Sequence, residues 1–202
     1  MTRKPPLVIL EPDSKPLGTS YKEWCKEWCR WFLSIPKVHN PALDNRGGST
    51  STQIGSNVTF LCQTFEPVKP FPYRNVRAPE GSSFFMPIIN WISFLGGKER
   101  NETDLASLAK ERMDEVVKLS VCVDGEYITK DLKKFRVVSP PVQLFLPDNN
   151  ILDAERGYTS IVADGFWIFF YPISKSLNIE TYGACMSGKT EIGVKYHIDL
   201  VS

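Results

Sequence analysis

The feature that most constrains this chain is the run from Val162 to Pro172, Val-Ala-Asp-Gly-Phe-Trp-Ile-Phe-Phe-Tyr-Pro. From Phe166 to Tyr171 every residue is aromatic or isoleucine, with no polar alternation. A strand with one wet face alternates, whereas a continuous apolar run suits a strand covered on both faces. Asp164-Gly165 is a turn signal at its start, and Pro172 is a stop. The rest of the chain must then supply two covers.

One cover is legible near the N-terminus. Thr19 or Ser20 can cap a helix from about Tyr21 to Leu33. Tyr21, Trp24, Cys25, Trp28, Trp31, Phe32 and Ile35 recur at helical steps, while Lys22, Glu23, Lys26, Glu27 and Arg30 fill the other face. Tryptophans on such a stripe cover a sheet more often than they cage a ligand. A second helix, capped by Thr103 or Asp104, is predicted over about 104–119. Short strands are predicted at 57–65, at 82–91 with an interruption at Pro87, at 135–138 and 142–146, and at 177–182. Val121–Val123 and Tyr127-Ile128 flank Asp124-Gly125, a hairpin signal. In Ile192 to Leu200 apolar residues alternate with Gly193, Lys195, His197 and Asp199, the clearest period-two signal in the chain. Pro79-Glu80-Gly81 is a tight turn. Helices do not alternate with strands, which excludes a parallel α/β sheet. The expected fold is mainly β: an antiparallel β-sandwich or jelly roll with a Trp-rich N-terminal helix and one inserted helix. A length of 202 residues fits one domain over 1–202, with 1–17 as an extended Pro-rich arm.

Charge narrows the partners. Lys and Arg number 24 against 23 Asp and Glu, so no excess of either sign favours nucleic acid or an anionic membrane. No apolar run approaches the roughly 20 residues of a spanning helix. The apolar stretch Leu7 to Leu10 is too short for a signal-peptide core. The expectation is a cytoplasmic protein as the chain stands, and a secreted one if a leader precedes it. Asn57-Val-Thr and Asn101-Glu-Thr are glycosylation sequons that would matter only after secretion in a eukaryote. The cysteine count, five, is odd and fits free thiols in a reducing compartment. Cys25 and Cys29 share a helix face but lack the ligand spacing of known zinc sites, so no metal and no cofactor is expected.

Chemistry-bearing patterns are sparse. Gly183-Ala-Cys-Met-Ser-Gly188-Lys189-Thr190 matches the phosphate-loop expression letter by letter. That motif needs a helix to begin at its Lys, and here Glu191 to Leu200 alternates as a strand, so the stretch is a hairpin connection. His39 and Asp44 lie in a polar loop over about 36–55, and with Glu80 they are the acid–base candidates, each beside the plainer reading of a solvated loop or turn. Arg74 and Arg77 bracket Val76 and are expected on one side of an extended segment, as an anion site or, preferably, as a solvated edge. Trp24, Trp28, Arg74, Trp91 and Trp167 are the candidate ligand contacts.

Several segments resemble a group of uncharacterised bacterial and archaeal β-rich proteins. They are the Trp-rich helix ending in Ser34-Ile35-Pro36, then Asn40-Pro41, Asp44 and Gln53-x-Gly55 before Val58-x-Phe60-Leu61, then Arg74-x-Val76-x-Ala78-Pro79-x-Gly81 before Phe84-Phe85-x-Pro87, and finally Ala163-Asp164-Gly165-Phe166-Trp167 with Tyr196-His197-Ile198. The resemblance spans about 20 to 201 and implies one β-rich domain; members carry an export leader, and the group brings no activity, ligand or catalytic residue. The leading expectation is therefore a ligand-binding or interaction β-sandwich. The alternatives are a small-molecule enzyme (cyclase, isomerase or hydrolase) with an aromatic-lined pocket between the Trp helix and the sheet, and a structural or assembly protein. The expected partner is a small molecule or carbohydrate, with a second copy of the chain as the alternative, and neither nucleic acid nor a membrane.

Overall fold

Strand β9, Gly157–Phe170, is buried from Ser160 to its end. Its side chains divide by parity, as a pleated strand requires. Phe166, Ile168 and Phe170 enter the core between two sheets, and Trp167 and Phe169 enter a second core beneath the N-terminal helix. The structure, a computed structural model, describes residues 9–44, 57–96, 101–171, 174–186, 188 and 190–201.

In chain order the other elements are β1 (Ile9–Leu10), α1 (Tyr21–Ser34), β2 (Val58–Phe60), β3 (Tyr73–Pro79), β4 (Ser83–Phe94), α2 (Glu102–Asp114), β5 (Val116–Val123), β6 (Glu126–Tyr127), β7 (Arg136–Val138), β8 (Val142–Leu146), β10 (Leu177–Cys185) and β11 (Glu191–Val201). The first sheet runs β2-β4-β9, and β1, β7 and β8 share the far edge of β9. The second runs β3-β11-β10-β5-β6. Val121, Ile179, Val194 and Ile198 of the second sheet pack with Phe84, Met86 and Ile168 of the first. The layers are α1, first sheet, second sheet. The fold is mainly β, as expected, but the sheets are mixed: β2 runs parallel to β4, and β3 parallel to β11.

Helix α1 starts at Ser20, whose side chain accepts from the Glu23 N–H at 3.3 Å. Its end is sealed by buried Asn40, which donates to the Phe32 carbonyl at 2.9 Å and accepts from the Ala42 N–H at 3.0 Å. Trp28 stacks on Phe32 at 4.6 Å and meets Trp167 edge-on at 5.2 Å, while Phe85 stacks on Trp167 at 5.4 Å. Each buried indole N–H finds a carbonyl: Trp28 donates to Leu61 at 2.8 Å and Trp167 to Val137 at 3.1 Å. Cys25 and Cys29 lie in this core, and burial pushes both thiols up. Among the described residues no helix is long and apolar enough to cross a membrane.

Two expectations are corrected here. The inserted helix does not run over 104–119: it starts after its cap Asn101 and stops at Asp114. Val116–Val123 instead pairs with β10, where its β-branched residues fit the pleat. Asp164-Gly165 is not a turn but mid-strand. A Cβ on Gly165 would lie 2.5 Å from the Asn90 Cβ and 2.8 Å from the Ile89 carbonyl oxygen, so this glycine permits close approach of β4 and β9. Asp164, 0% exposed, receives Arg136 through Nη2 at 2.6 Å and Nε at 3.1 Å, while Arg136 Nη1 holds Asp114 at 2.6 Å. This cluster fastens the end of α2 to the sheet. Pro172 lies outside the described residues.

Removing Arg136 strands a buried carboxylate, whereas removing Asp164 leaves a partly exposed guanidinium still paired with Asp114. Urea unfolding should therefore show Arg136→Met losing about 3 kcal/mol or more and Asp164→Asn losing less. Gly165→Ala should lower the same midpoint by forcing β4 away from β9, while Gly188→Ala, with open space around it but a φ of +64°, should cost only the roughly 1–2 kcal/mol of a left-handed residue with a side chain.

Candidate functional site

Pro87 decides where the site lies. The Ser83 N–H donates to Asn57 at 2.9 Å and the Leu61 N–H to Phe85 at 3.0 Å, so β4 meets β2 through its odd-numbered residues. Alternation turns Pro87 to the same side, where it has no N–H to give. The Leu61 carbonyl takes the Trp28 indole instead. There β2 pairing ends and β4 bulges between Pro87 and Ile89. The chain after Leu61 leaves the sheet, and a cavity of about 460 Å³ opens beside the outer half of β4.

The cavity wall has six sources: residues 62–67 after β2, β4 from Ile89 to Phe94, the end of α2 with Arg112 and Met113, the β10–β11 region with Cys185, Thr190 and Ile192, α1 with Trp28 and Phe32, and Leu152 after β8. Trp91, 40% exposed, is at the mouth, with the Arg112 guanidinium 5.1 Å from its ring centroid.

The 62–64 segment is held by a buried polar knot. Arg74, 0% exposed, donates through Nη1 to the Cys62 carbonyl at 2.9 Å and the Tyr196 hydroxyl at 2.9 Å, and through Nη2 to the Ala42 carbonyl at 3.2 Å. Tyr196 in turn donates to the Cys62 carbonyl at 2.7 Å. Burial pushes the Tyr196 hydroxyl up, with Arg74 opposing, so it stays a protonated donor. Burial likewise raises the Cys62 thiol against the pull of Arg74, which makes it a packed thiol and not a nucleophile.

Two polar side chains in the cavity wall have unused capacity. Gln63, 4% exposed, donates through Nε2 to the Ile88 carbonyl at 2.8 Å and also to the Thr181 hydroxyl. Both amide hydrogens are thereby placed, and among the described residues Oε1 has no hydrogen-bond partner. Thr64 is 7% exposed, and among the described residues its hydroxyl also has none. Buried polar atoms are nearly always satisfied by protein or by water, so these two, set in a cavity wall, are open to a water or a ligand; Arg74 Nε, Ser83 Oγ and Ser93 Oγ are likewise without a partner among the described residues but do not line the cavity.

The expected site residues are scattered. His39 is exposed on a short turn at Lys37–His39. Glu80 is exposed in the β3–β4 turn, which closes with the Ser82 N–H donating to Pro79 at 3.1 Å. Asp44 is half-buried and does not line the cavity. Trp24 and Trp167 belong to the α1 core, and of the expected ligand contacts only Trp28 and Trp91 touch the cavity wall. Arg74 and Arg77 do not share a side, because three residues is an odd step on a strand: Arg74 points into the core and Arg77 out to Asp199 at 3.5 Å. Nor is Arg74 a solvated edge, since its fork ties three backbone and side-chain oxygens inside the molecule. The Gly183–Thr190 stretch is a hairpin connection, with Ala184 paired to Glu191, while Lys189 lies outside the described residues. Among the described residues no three potential metal ligands gather. Gln63, Thr64 and Arg112 stand in no recognisable functional pattern in the sequence, and Ile192 is legible there only as the first apolar position of the alternating last strand.

Comparison of the chain with known protein families, curated proteins and solved structures gives no match.

Thr64→Val removes a buried hydroxyl that bonds nothing, so the free protein should melt at the same temperature or higher, a gain of up to about 1 kcal/mol. Tyr196→Phe should do the reverse, costing about 1–2 kcal/mol by opening the knot around Cys62. Differential scanning calorimetry of the two variants checks both signs.

Proposed function

We propose that this protein is a binding module and that the cavity beside the outer half of β4 is its ligand site. The observation that carries the reading is the pair of nine-tenths buried polar atoms, Gln63 Oε1 and Thr64 Oγ, that have no partner among the described residues, in a wall otherwise rich in Phe, Trp and Ile, with Glu66, Arg112 and Glu115 as its charged members. A cavity of about 460 Å³ falls within the range of small-ligand sites. The ligand has an apolar body and at least one hydrogen-bond donor, because Gln63 offers only an acceptor there. Chemistry on the ligand is not part of the reading: His39 and Glu80 are exposed elsewhere, and the cavity thiols of Cys62 and Cys185 are both raised.

Native mass spectrometry of the purified protein, followed by a compound screen reading Trp91 emission, tests this. A bound compound should shift that emission, and the shift should vanish in Trp91→Ala. Thr64→Val should weaken binding about tenfold while leaving the fold intact, since one bond to a buried hydroxyl is lost. His39→Ala and Glu80→Ala should bind as the parent does. Equal affinity in both Thr64→Val and Trp91→Ala, read by native mass spectrometry, would remove the cavity from consideration.

A further inference from the structure

The cavity contains an unfinished sheet edge. The Leu95 N–H donates to the Ser160 carbonyl at 3.0 Å, so after the bulge β4 bonds β9 through its odd-numbered residues. Ser139 confirms the phase from the other side: its N–H donates to the Ala163 carbonyl at 2.8 Å, so Ala163, which faces Ile92, turns its backbone away from β4. Asn90, Ile92 and Phe94 therefore direct their N–H and C=O groups away from β9, and all three line the cavity. Among the described residues no strand pairs with β4 on this side beyond Phe60 opposite Phe85.

Gln63 begins what a strand would continue. Its side-chain amide donates to the Ile88 carbonyl, the bond a neighbouring backbone N–H would make, and its Oε1 then stands unfilled at the head of the edge. Trp91 and Met113 lie to one face of the edge, while Phe32 and Leu152 lie to the other. We infer that the occupant is an extended peptide segment that adds a strand to β4. This rests on the cavity reading above and names its ligand class. Backbone groups of the peptide pair with Asn90, Ile92 and Phe94, a peptide N–H donates to Gln63 Oε1, and alternate apolar side chains enter the two apolar faces. From Asn90 to Phe94 the edge spans about 13 Å, enough for four or five peptide residues. A second copy of this chain fits less well. The edge is recessed between residues 62–67 and the end of α2, and such a recess admits one strand, not the edge of a whole sheet.

The test uses blocked pentapeptides with apolar residues at alternate positions and, in parallel, non-peptide aromatic compounds of similar size. Amide hydrogen exchange and Trp91 emission are the readouts. The expected result is a peptide that shifts Trp91 and slows exchange at Asn90, Ile92 and Phe94, with binding about tenfold weaker when a single peptide N–H is methylated. Ile92→Pro removes an N–H the fold does not use and is tolerable on an edge, so it should keep its cooperative unfolding and lose the peptide. If that variant does not fold, the methylated peptide gives the same answer. A non-peptide compound that shifts Trp91 while the three amides exchange freely would overturn the peptide and spare the cavity. Silence of Trp91 toward both sets would overturn both. Protection that appears with protein concentration alone would overturn the peptide in favour of a second copy.

Discussion

The burial of β9 on both faces is the constraint from which the other features follow. A strand with Phe166, Ile168 and Phe170 on one side and Trp167 and Phe169 on the other cannot lie at a surface. It needs a sheet on one face and a helix on the other, and its two edges must be filled along fourteen residues. β4 fills one edge. Three short pieces, β1, β7 and β8, fill the other. The helix that covers Trp167 must carry rings large enough to close the gap, hence Trp28 stacked on Phe32. The mixed sheet direction is a consequence of crossing between layers: β2 and β3 follow one another but join different sheets, each as a parallel edge.

Most polar groups drawn into this apolar frame are satisfied; among the described residues Gln63 Oε1, Thr64 Oγ, Arg74 Nε, Ser83 Oγ and Ser93 Oγ are the buried side-chain atoms without a partner, and only the first two line the cavity. Asp164 has Arg136, Asn40 has the end of α1, and Arg74 has a fork of oxygens around Cys62. Arg74 and Tyr196 fix the segment that leaves β2, and that segment brings Gln63 and Thr64 to the cavity. A single proline links the two themes. Because Pro87 cannot donate, β2 ends, Trp28 takes over the Leu61 carbonyl, and the outer half of β4 is left with an edge that borders a cavity.

Much of the fold was legible in the residues. Helix α1 and its cap, the Asp124-Gly125 hairpin, the alternating last strand and the doubly covered central strand each carry a local signature that survives folding. At Asp124 and Gly125 both φ values are positive, +49° and +85°, as a tight hairpin turn demands. Where the reading failed, a local signal had two meanings. Asp-Gly is a turn in one setting and a buried ion pair beside a close strand crossing in another. Residues 116–119 extend a helical stripe by spacing yet pair as a strand because β10 is there to receive them. Arg74 looked like surface charge because nothing near it in sequence supplies the oxygens that hold it.

The sequence by itself determined the layers: which strand is covered twice, which helix covers it, and that no phosphate loop could form before an alternating strand. Those conclusions rest on periodicity and turn chemistry, which are local. Only the tertiary structure brought the candidate site together. Gln63 and Thr64 differ from any other polar pair until Ile88, Thr181 and the end of α2 are brought beside them. Whether a buried donor or acceptor is filled depends on atoms far away along the chain, and no spacing within the sequence records that.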